Sequence, residues 1–313
     1  MKRIITITLF LLSLVSGIRA QLQSIPYGDF ETWAVHYIKE SKVVGGQTRA
    51  IYIPAPKDTL WENKPYIYKD ADDPWATSND YINFMGIYKT STSVEPDKRG
   101  HGTAAKLSIL QEDITVIGLD MHVILAGTLY VGRTREPFNA TGNYNTNVDF
   151  GWPYEGTPKA LVFDYKSVIS PDSSVTQCAG FSKPKTIHHI FDHAHAYCYL
   201  QRRWEDNLGN IHAERVATAY MKIDYTTDWV NGHVLTLHYG EIVNPNSIEQ
   251  LQRTWMFAHN SSGRMVRVRE EGWAAPGTKP THICISFSAS GLEQGGAGHV
   301  GNALWVDNVC LQY

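Results

Sequence analysis

The sequence predicts an all-β protein, a sandwich or barrel, and three observations predict it. Short runs rich in β-branched and aromatic residues alternate with Gly, Pro and Asn clusters along the chain. Helical periodicity is scarce. Among 313 residues, aromatics reach 12% and charged residues only 19%, with nine Trp and 17 Tyr. That composition excludes a disordered chain, which would be poor in aromatics and highly charged. The net charge of −3, without a basic block, argues against an electrostatic nucleic-acid binder. No sustained coiled-coil repeat is present.

The first element is a leader. Met1-Lys2-Arg3 is cationic, residues 4–15 are apolar apart from Thr and Ser, and Ala20 ends a small-residue stretch. This is the three-part pattern of a secretory signal peptide over residues 1–20. The apolar run is shorter than the ~20 residues a spanning helix needs. Removing Lys2, Arg3 and Arg19 leaves 25 basic against 31 acidic residues, a net charge of −6. No Cys lies near the cleavage point to carry a lipid anchor, and no later apolar run would form a transmembrane segment. The expected location is periplasmic, on the outer surface or secreted.

The strands follow in order. Residues 104–110 alternate after Gly100-His101-Gly102. Residues 121–125 lead into residues 128–132 through Ala126-Gly127. Residues 160–166 follow Pro158, and residues 194–200 and 216–223 mix small, aromatic and polar side chains. Residues 246–253 are the one place where Asn or Ser can cap a short helix. Residues 139–149 read as a long loop. No linker divides residues 21–313, so one sandwich domain is expected. Cys284 and Cys310 sit in strand-like runs. They can pair across neighbouring strands or stay as buried thiols; with Cys178 and Cys198 the four cysteines allow three connectivities.

Several segments, taken in order, resemble one family. They are Tyr27-Gly28-Asp29-Phe30-Glu31-Thr32-Trp33, Trp75-Ala76-Thr77-Ser78-Asn79, Gly102-Thr103-Ala104-Ala105-Lys106-Leu107, and Ala126 through Gly132. Phe150-Gly151-Trp152-Pro153-Tyr154 leads to Pro158-Lys159-Ala160-Leu161. The last stretch runs from Pro280-Thr281-His282-Ile283 through Ser288-Ala289-Ser290-Gly291 to Leu304-Trp305-Val306-Asp307-Asn308-Val309. In this order they resemble the putative carbohydrate metabolism domain (PCMD), found in exported proteins of glycan-degrading gut bacteria. The resemblance implies a jelly-roll β-sandwich similar to carbohydrate-binding modules, with a poly- or oligosaccharide as partner. Two positions depart from the pattern. Ala289 stands where Ser is expected, and His195 stands where a strand often carries a second acid.

The resemblance also implies a structural calcium ion shared by Glu31 and Asp307, near opposite ends of the chain. Ca²⁺ favours carboxylates with backbone carbonyls. The alternative is that Glu31 caps backbone amides and Asp307 holds a turn. Sugar rings present apolar C–H faces that a flat aromatic can cover. Trp152 and Tyr154 in the 150–154 loop, and Trp61 and Trp75 in Pro- and Asp-containing segments, are therefore candidate saccharide platforms, with Trp229 and Trp273 behind them. Core packing is the competing role, and Trp33 and Trp305 are assigned to core strands. His193, His195 and Tyr197 share a strand face but lack a third metal ligand. No same-face carboxylate pair of a glycosidase is evident. Glu205-Asp206 and Glu270-Glu271 are adjacent pairs that point apart on a strand and more often mark turns. The expected function is non-covalent glycan binding. A glycoside hydrolase or lyase on the same scaffold is the first alternative, and a structural or adhesion subunit the second.

Overall fold

The computed structural model describes residues 21–313 apart from residues 62, 64–65, 67–72, 85, 117, 139–143, 244–248, 251–255 and 293–295. The expected signal peptide at residues 1–20 lies outside the described residues. So does most of the possible helix at residues 246–253, and there is no α-helix among the described ones.

Eight strands build the framework. They are β1 (Gly102–Val116), β2 (Thr128–Thr134), β3 (Ala160–Val168), β4 (Ala194–Glu205), β5 (Ile211–Ile223), β6 (Thr227–Thr236), β7 (His282–Ser288) and β8 (Ala303–Gln312). One sheet runs β1-β8-β3-β6 and the other β2-β7-β4-β5, with antiparallel pairing throughout. Successive strands thus cross between the sheets in the order of a jelly roll, two interlocked Greek keys.

Alternation decides what the two sheets bury. β8 turns Leu304 and Val306 inward and Trp305 outward. After a bulge between its pairings with Asp164 and Val162 it resumes with Val309 and Leu311 inside. Asn308 takes φ 52° there. β3 contributes Leu161, Phe163 and Tyr165, and β7 contributes Ile283, Ile285 and Phe287. Phe163 meets Phe287 edge-on across the sandwich, with centroids 5.0 Å apart. Each such side chain, fully buried, is worth roughly 1.5–3 kcal/mol.

The second sheet is covered on its other face too. Tyr130, Tyr197, Tyr199, Ala213 and Cys284 pack there against Phe150, Met256, Ala258 and Val268 from an outer layer. This is why β4 is buried without a break from Ala196 to Leu200, where a one-sided strand would alternate. Ahead of β1, the strands Trp33–Lys39, Thr48–Pro54 and Asp58–Leu60 form a small sheet. Its inner face packs Ala34, Ile38, Ile51 and Ile53 with Tyr66 and Tyr81.

Two expectations are corrected here. Cys284 lies on β7 and Cys310 on β8, in opposite sheets, so they are not cross-strand neighbours, and all four thiols are free. Trp305 does lie on a core strand, β8, but its side chain is not part of the core. It faces outward, donates from Nε1 to Asp97 at 2.6 Å and lies under the Lys166 ammonium. Trp33 does belong to the core.

Candidate functional site

The outer layer leaves a cleft of ≈ 660 Å³ against the rim of the second sheet. The 150–154 segment forms one wall. Trp152 and Pro153 pair with Ile283 and His282 at the start of β7. The turn before them depends on Gly151, with φ 92°, where a Cβ would lie 2.7 Å from Arg203 Nη2. Trp152 is half-buried, and the Arg133 guanidinium sits 5.4 Å from its ring centre.

β4 supplies the opposite wall. Its rim end presents Trp204 and Glu205 to the cleft, followed by the turn at Asp206. Trp204 stacks on its cross-strand neighbour His212, with centroids 5.5 Å apart and planes 16° from parallel. His212 is held between Asp206 and Glu271, at 3.1 and 2.5 Å. The bonds to Asp206 and then Glu271 raise its pKa. Asp149 and His259 face the cleft from the outer layer. Asp149 accepts from the His259 ring at 2.8 Å and from its backbone N–H at 3.3 Å. Glu205 accepts from the Ser261 N–H and hydroxyl at 2.7 and 2.8 Å.

Beneath these groups runs a buried polar chain. Arg203 donates to the Phe150 carbonyl at 2.7 Å and to Gln201 Oε1 at 2.8 Å. Gln201 donates to Glu270 at 2.5 Å, and Glu270 takes two bonds from Arg215 at 2.6 and 2.7 Å. Burial, with the Arg203 cation beside it, depresses the His282 pKa to about 3. The floor therefore fixes the Trp152 segment to β4 through hydrogen bonds.

A family model described as "Putative carbohydrate metabolism domain" matches residues 57–312. The chain belongs to this family. Among solved structures, a chain described as a putative glycoside hydrolase from Bacteroides thetaiotaomicron is 18% identical. The match covers 89% of this chain and 70% of that one, with a TM-score of 0.46. A second, described as a putative glycoside hydrolase from Bacteroides vulgatus, is 14% identical. It covers 92% of this chain and 94% of that one, with a TM-score of 0.40. No curated protein matches. The family's description connects this PCMD protein with carbohydrate metabolism.

The expected saccharide residues of this PCMD chain occupy four different settings. Trp152 lines the cleft. Tyr154 lies behind it, packed on the main core, with its hydroxyl bonded to that of Tyr313. Trp75 is fully buried on a short strand pairing β2, and its Nε1 donates to the Pro26 carbonyl at 2.9 Å. It presents no ring face to a ligand. Trp61 is 68% exposed beside the small N-terminal sheet, outside the cleft lining. Trp229 lies 3.9 Å from the Arg99 guanidinium, and Trp273 5.9 Å from that of Arg215.

Trp204, Asp149 and His259 are cleft residues that the sequence reading passed over. The available signal was the polar end of β4, Arg202-Arg203-Trp204-Glu205, immediately before a turn. Of the two acidic pairs, one follows the turn reading and one does not. Asp206 does hold a turn, accepting from the Leu208 and Asn210 N–H groups. Glu270 and Glu271 instead lie on the strand Met265–Trp273, one buried and one facing out.

The two carboxylates of the expected calcium pair have other partners. Asp307 bonds the Arg99 guanidinium at 2.5 Å, and Asp164 meets the same cation at 2.8 Å. Glu31 accepts from the Thr103 N–H, and Asp307 also caps the Asn308 N–H. A guanidinium already stands against the Asp307 carboxylate, so these residues do not fit a calcium site. Glu31 caps a backbone amide, whereas Asp307 lies within β8 beside its bulge rather than in a turn. Among the described residues, no group of three or more His, Cys, Asp or Glu side chains is arranged to hold a metal. His195 stacks on Tyr197, and burial lowers its pKa to about 4. Among the described residues, no helix is long and apolar enough to cross a membrane.

Proposed function

We propose that the cleft between Trp152 and Trp204 binds a saccharide non-covalently, as part of an exported glycan-utilisation system. One observation carries this reading. A single cleft combines two indole side chains with hydrogen-bonding Arg133, Asp149, Glu205 and His259. Its volume falls within the roughly 300–1,000 Å³ of small-molecule sites. The indoles cover C–H faces of a sugar ring, and the rim carboxylates and imidazole bond its hydroxyls. The test is a glycan array on the mature protein, followed by calorimetry with any hit. Trp152→Ala should weaken binding at least tenfold. Unchanged affinity in this variant refutes the cleft assignment. Export is tested by the N-terminus of the mature protein, expected to be Gln21.

Hydrolysis is the second reading, because Asp149 and Glu205 are two carboxylates lining one cleft. Glycosidases place such a pair ~5–9.5 Å apart across the scissile bond. Each acid here is tied to a partner, His259 or Ser261, an arrangement that also suits fixed acceptors for sugar hydroxyls. Incubating the bound glycan decides between them. Product release that is lost in both Asp149→Asn and Glu205→Gln establishes hydrolysis. Binding without product supports recognition alone.

A further inference from the structure

Outside the cleft, the face of the small N-terminal sheet turned away from its own core packs Trp33 and Tyr52 on the main core at one end and carries an exposed aromatic stack at the other. Tyr37 lies on the strand Trp33–Lys39, opposite Ala50 of the strand Thr48–Pro54. Ala34 and Ile38 point into the small core, so Tyr37 points away from it. Trp61 lies flat on Tyr37, with ring centroids 4.2 Å apart and planes 15° from parallel. One indole face is covered by this contact, yet the residue is 68% exposed. The other face is therefore turned to solvent. A backing ring fixes the orientation of an exposed indole before anything binds, which lowers the ordering cost of association.

Beside this stack, on the same sheet, lies a groove of ≈ 360 Å³ bordered by Ala50, Tyr52, Arg49, Glu95 and Lys106. Lys106 pairs with Glu95 at 2.9 Å, and Arg49 with Glu112 at 2.9 Å. Burial, then the neighbouring Tyr37, raises the pKa of Tyr52, so its phenol stays protonated. A flat exposed indole next to a groove edged by a phenol, a guanidinium, an ammonium and a carboxylate matches a ring with one apolar face and many hydroxyls. A flat protein epitope would instead need several hundred Å² of continuous apolar surface. The polar edging here works against that occupant.

We infer that Trp61, backed by Tyr37, and the Tyr52 groove form a second saccharide-binding surface, separate from the cleft. The choice of a saccharide rests on the carbohydrate reading above, whereas the location rests on the stack and groove. Two surfaces on one chain hold a long polysaccharide more tightly than either alone, because the second contact becomes intramolecular.

The test is affinity electrophoresis through gels containing a β-glucan, a xylan, a galactomannan or a pectin. Wild type, Trp61→Ala, Trp61→Phe, Tyr37→Ala, Trp152→Ala and the Trp61→Ala/Trp152→Ala double variant are compared. Circular dichroism confirms that each is folded. Trp61→Ala should weaken retardation about tenfold on the polysaccharide that retards wild type. Tyr37→Ala should do so by less, Trp61→Phe should restore part of it, and the double variant should run unretarded. Wild-type retardation by Trp61→Ala on every gel overturns the inference while leaving the cleft reading intact. Loss in Trp61→Ala but not in Trp152→Ala upholds the second surface and overturns the cleft. No retardation of wild type on any gel overturns both.

Discussion

Replacing Glu270 should test whether the floor of the cleft is one cooperative unit. Glu270 and Arg215 are both completely buried. The carboxylate takes two bonds from Arg215 and one from Gln201. The Arg215 guanidinium also lies 3.8 Å from the centre of the Tyr199 ring. Glu270→Leu strands a buried cation, at a cost of about 3–5 kcal/mol. Arg215→Met strands the carboxylate and should cost about the same. The double variant removes both charges; the Gln201 amide loses its acceptor, about 1–3 kcal/mol, and the Thr218 hydroxyl, which can turn to another partner, loses its Arg215 donor. The coupling energy is therefore at least about 3 kcal/mol, large for a neighbouring pair. Urea unfolding of the four proteins measures it, and at roughly 2 °C per kcal/mol each single variant should melt about 6–10 °C lower. Gln201 also orients Arg203, which holds the Phe150 carbonyl. Glu270→Leu should thus weaken saccharide binding several-fold without touching the cleft surface. A single-variant loss below about 1 kcal/mol, or a double variant costing the sum of the singles, refutes the reasoning.

Three further outcomes are expected. Trp75→Ala should cost about 3–5 kcal/mol of stability as a core cavity, whereas Trp152→Ala should cost much less and act on glycan affinity; urea unfolding and calorimetry separate the two. Stability should fall on acidification between about pH 6.5 and 3. His282 and His195 have folded pKa values of about 3 and 4 against 6.5 when unfolded. The unfolded chain therefore binds more protons in this window, and the stability conferred by the neutral rings is present above it and lost below. A His195→Gln variant should show a shallower acid limb in melting experiments, and an unchanged limb would remove His195 from the account. Added calcium should leave the melting temperature unchanged, because Asp307 is engaged by Arg99. A millimolar-calcium increase that disappears in Asp307→Asn would reverse that conclusion.

The strands were legible because their alternation survives on most of the sandwich. Leu304, Val306, Val309 and Leu311 carry the pattern on β8 even across a bulge. The unbroken burial of β4 shows where the pattern ends, since an outer layer covers its second face. Trp75 looked like a loop aromatic among Pro and Asp neighbours, yet three residues of strand suffice to carry it into the core. The Cys284–Cys310 pairing failed because a strand's sequence does not declare its sheet. Half of the cleft was legible, through Trp152 in its Gly- and Pro-bounded segment. Trp204, Asp149 and His259 come from separate parts of the chain and meet only through tertiary packing. The Arg215–Glu270 pair gave no local signal, because each residue reads as a solvent-facing charge until its partner is known.

The position of β8 has a consequence for biosynthesis. This strand fills the gap between β1 and β3, so the first sheet cannot close until Ala303–Gln312 has left the ribosome. Until then β1 and β3 each show an open inner edge able to pair with another chain. Their eventual contacts with β8 span most of the sequence, the kind of pairing that forms late and slowly. The nascent protein must therefore be shielded from aggregation for nearly the whole of its synthesis. A premature stop a few residues before β8 would leave a chain that has made nearly all of its strands yet cannot complete its sandwich.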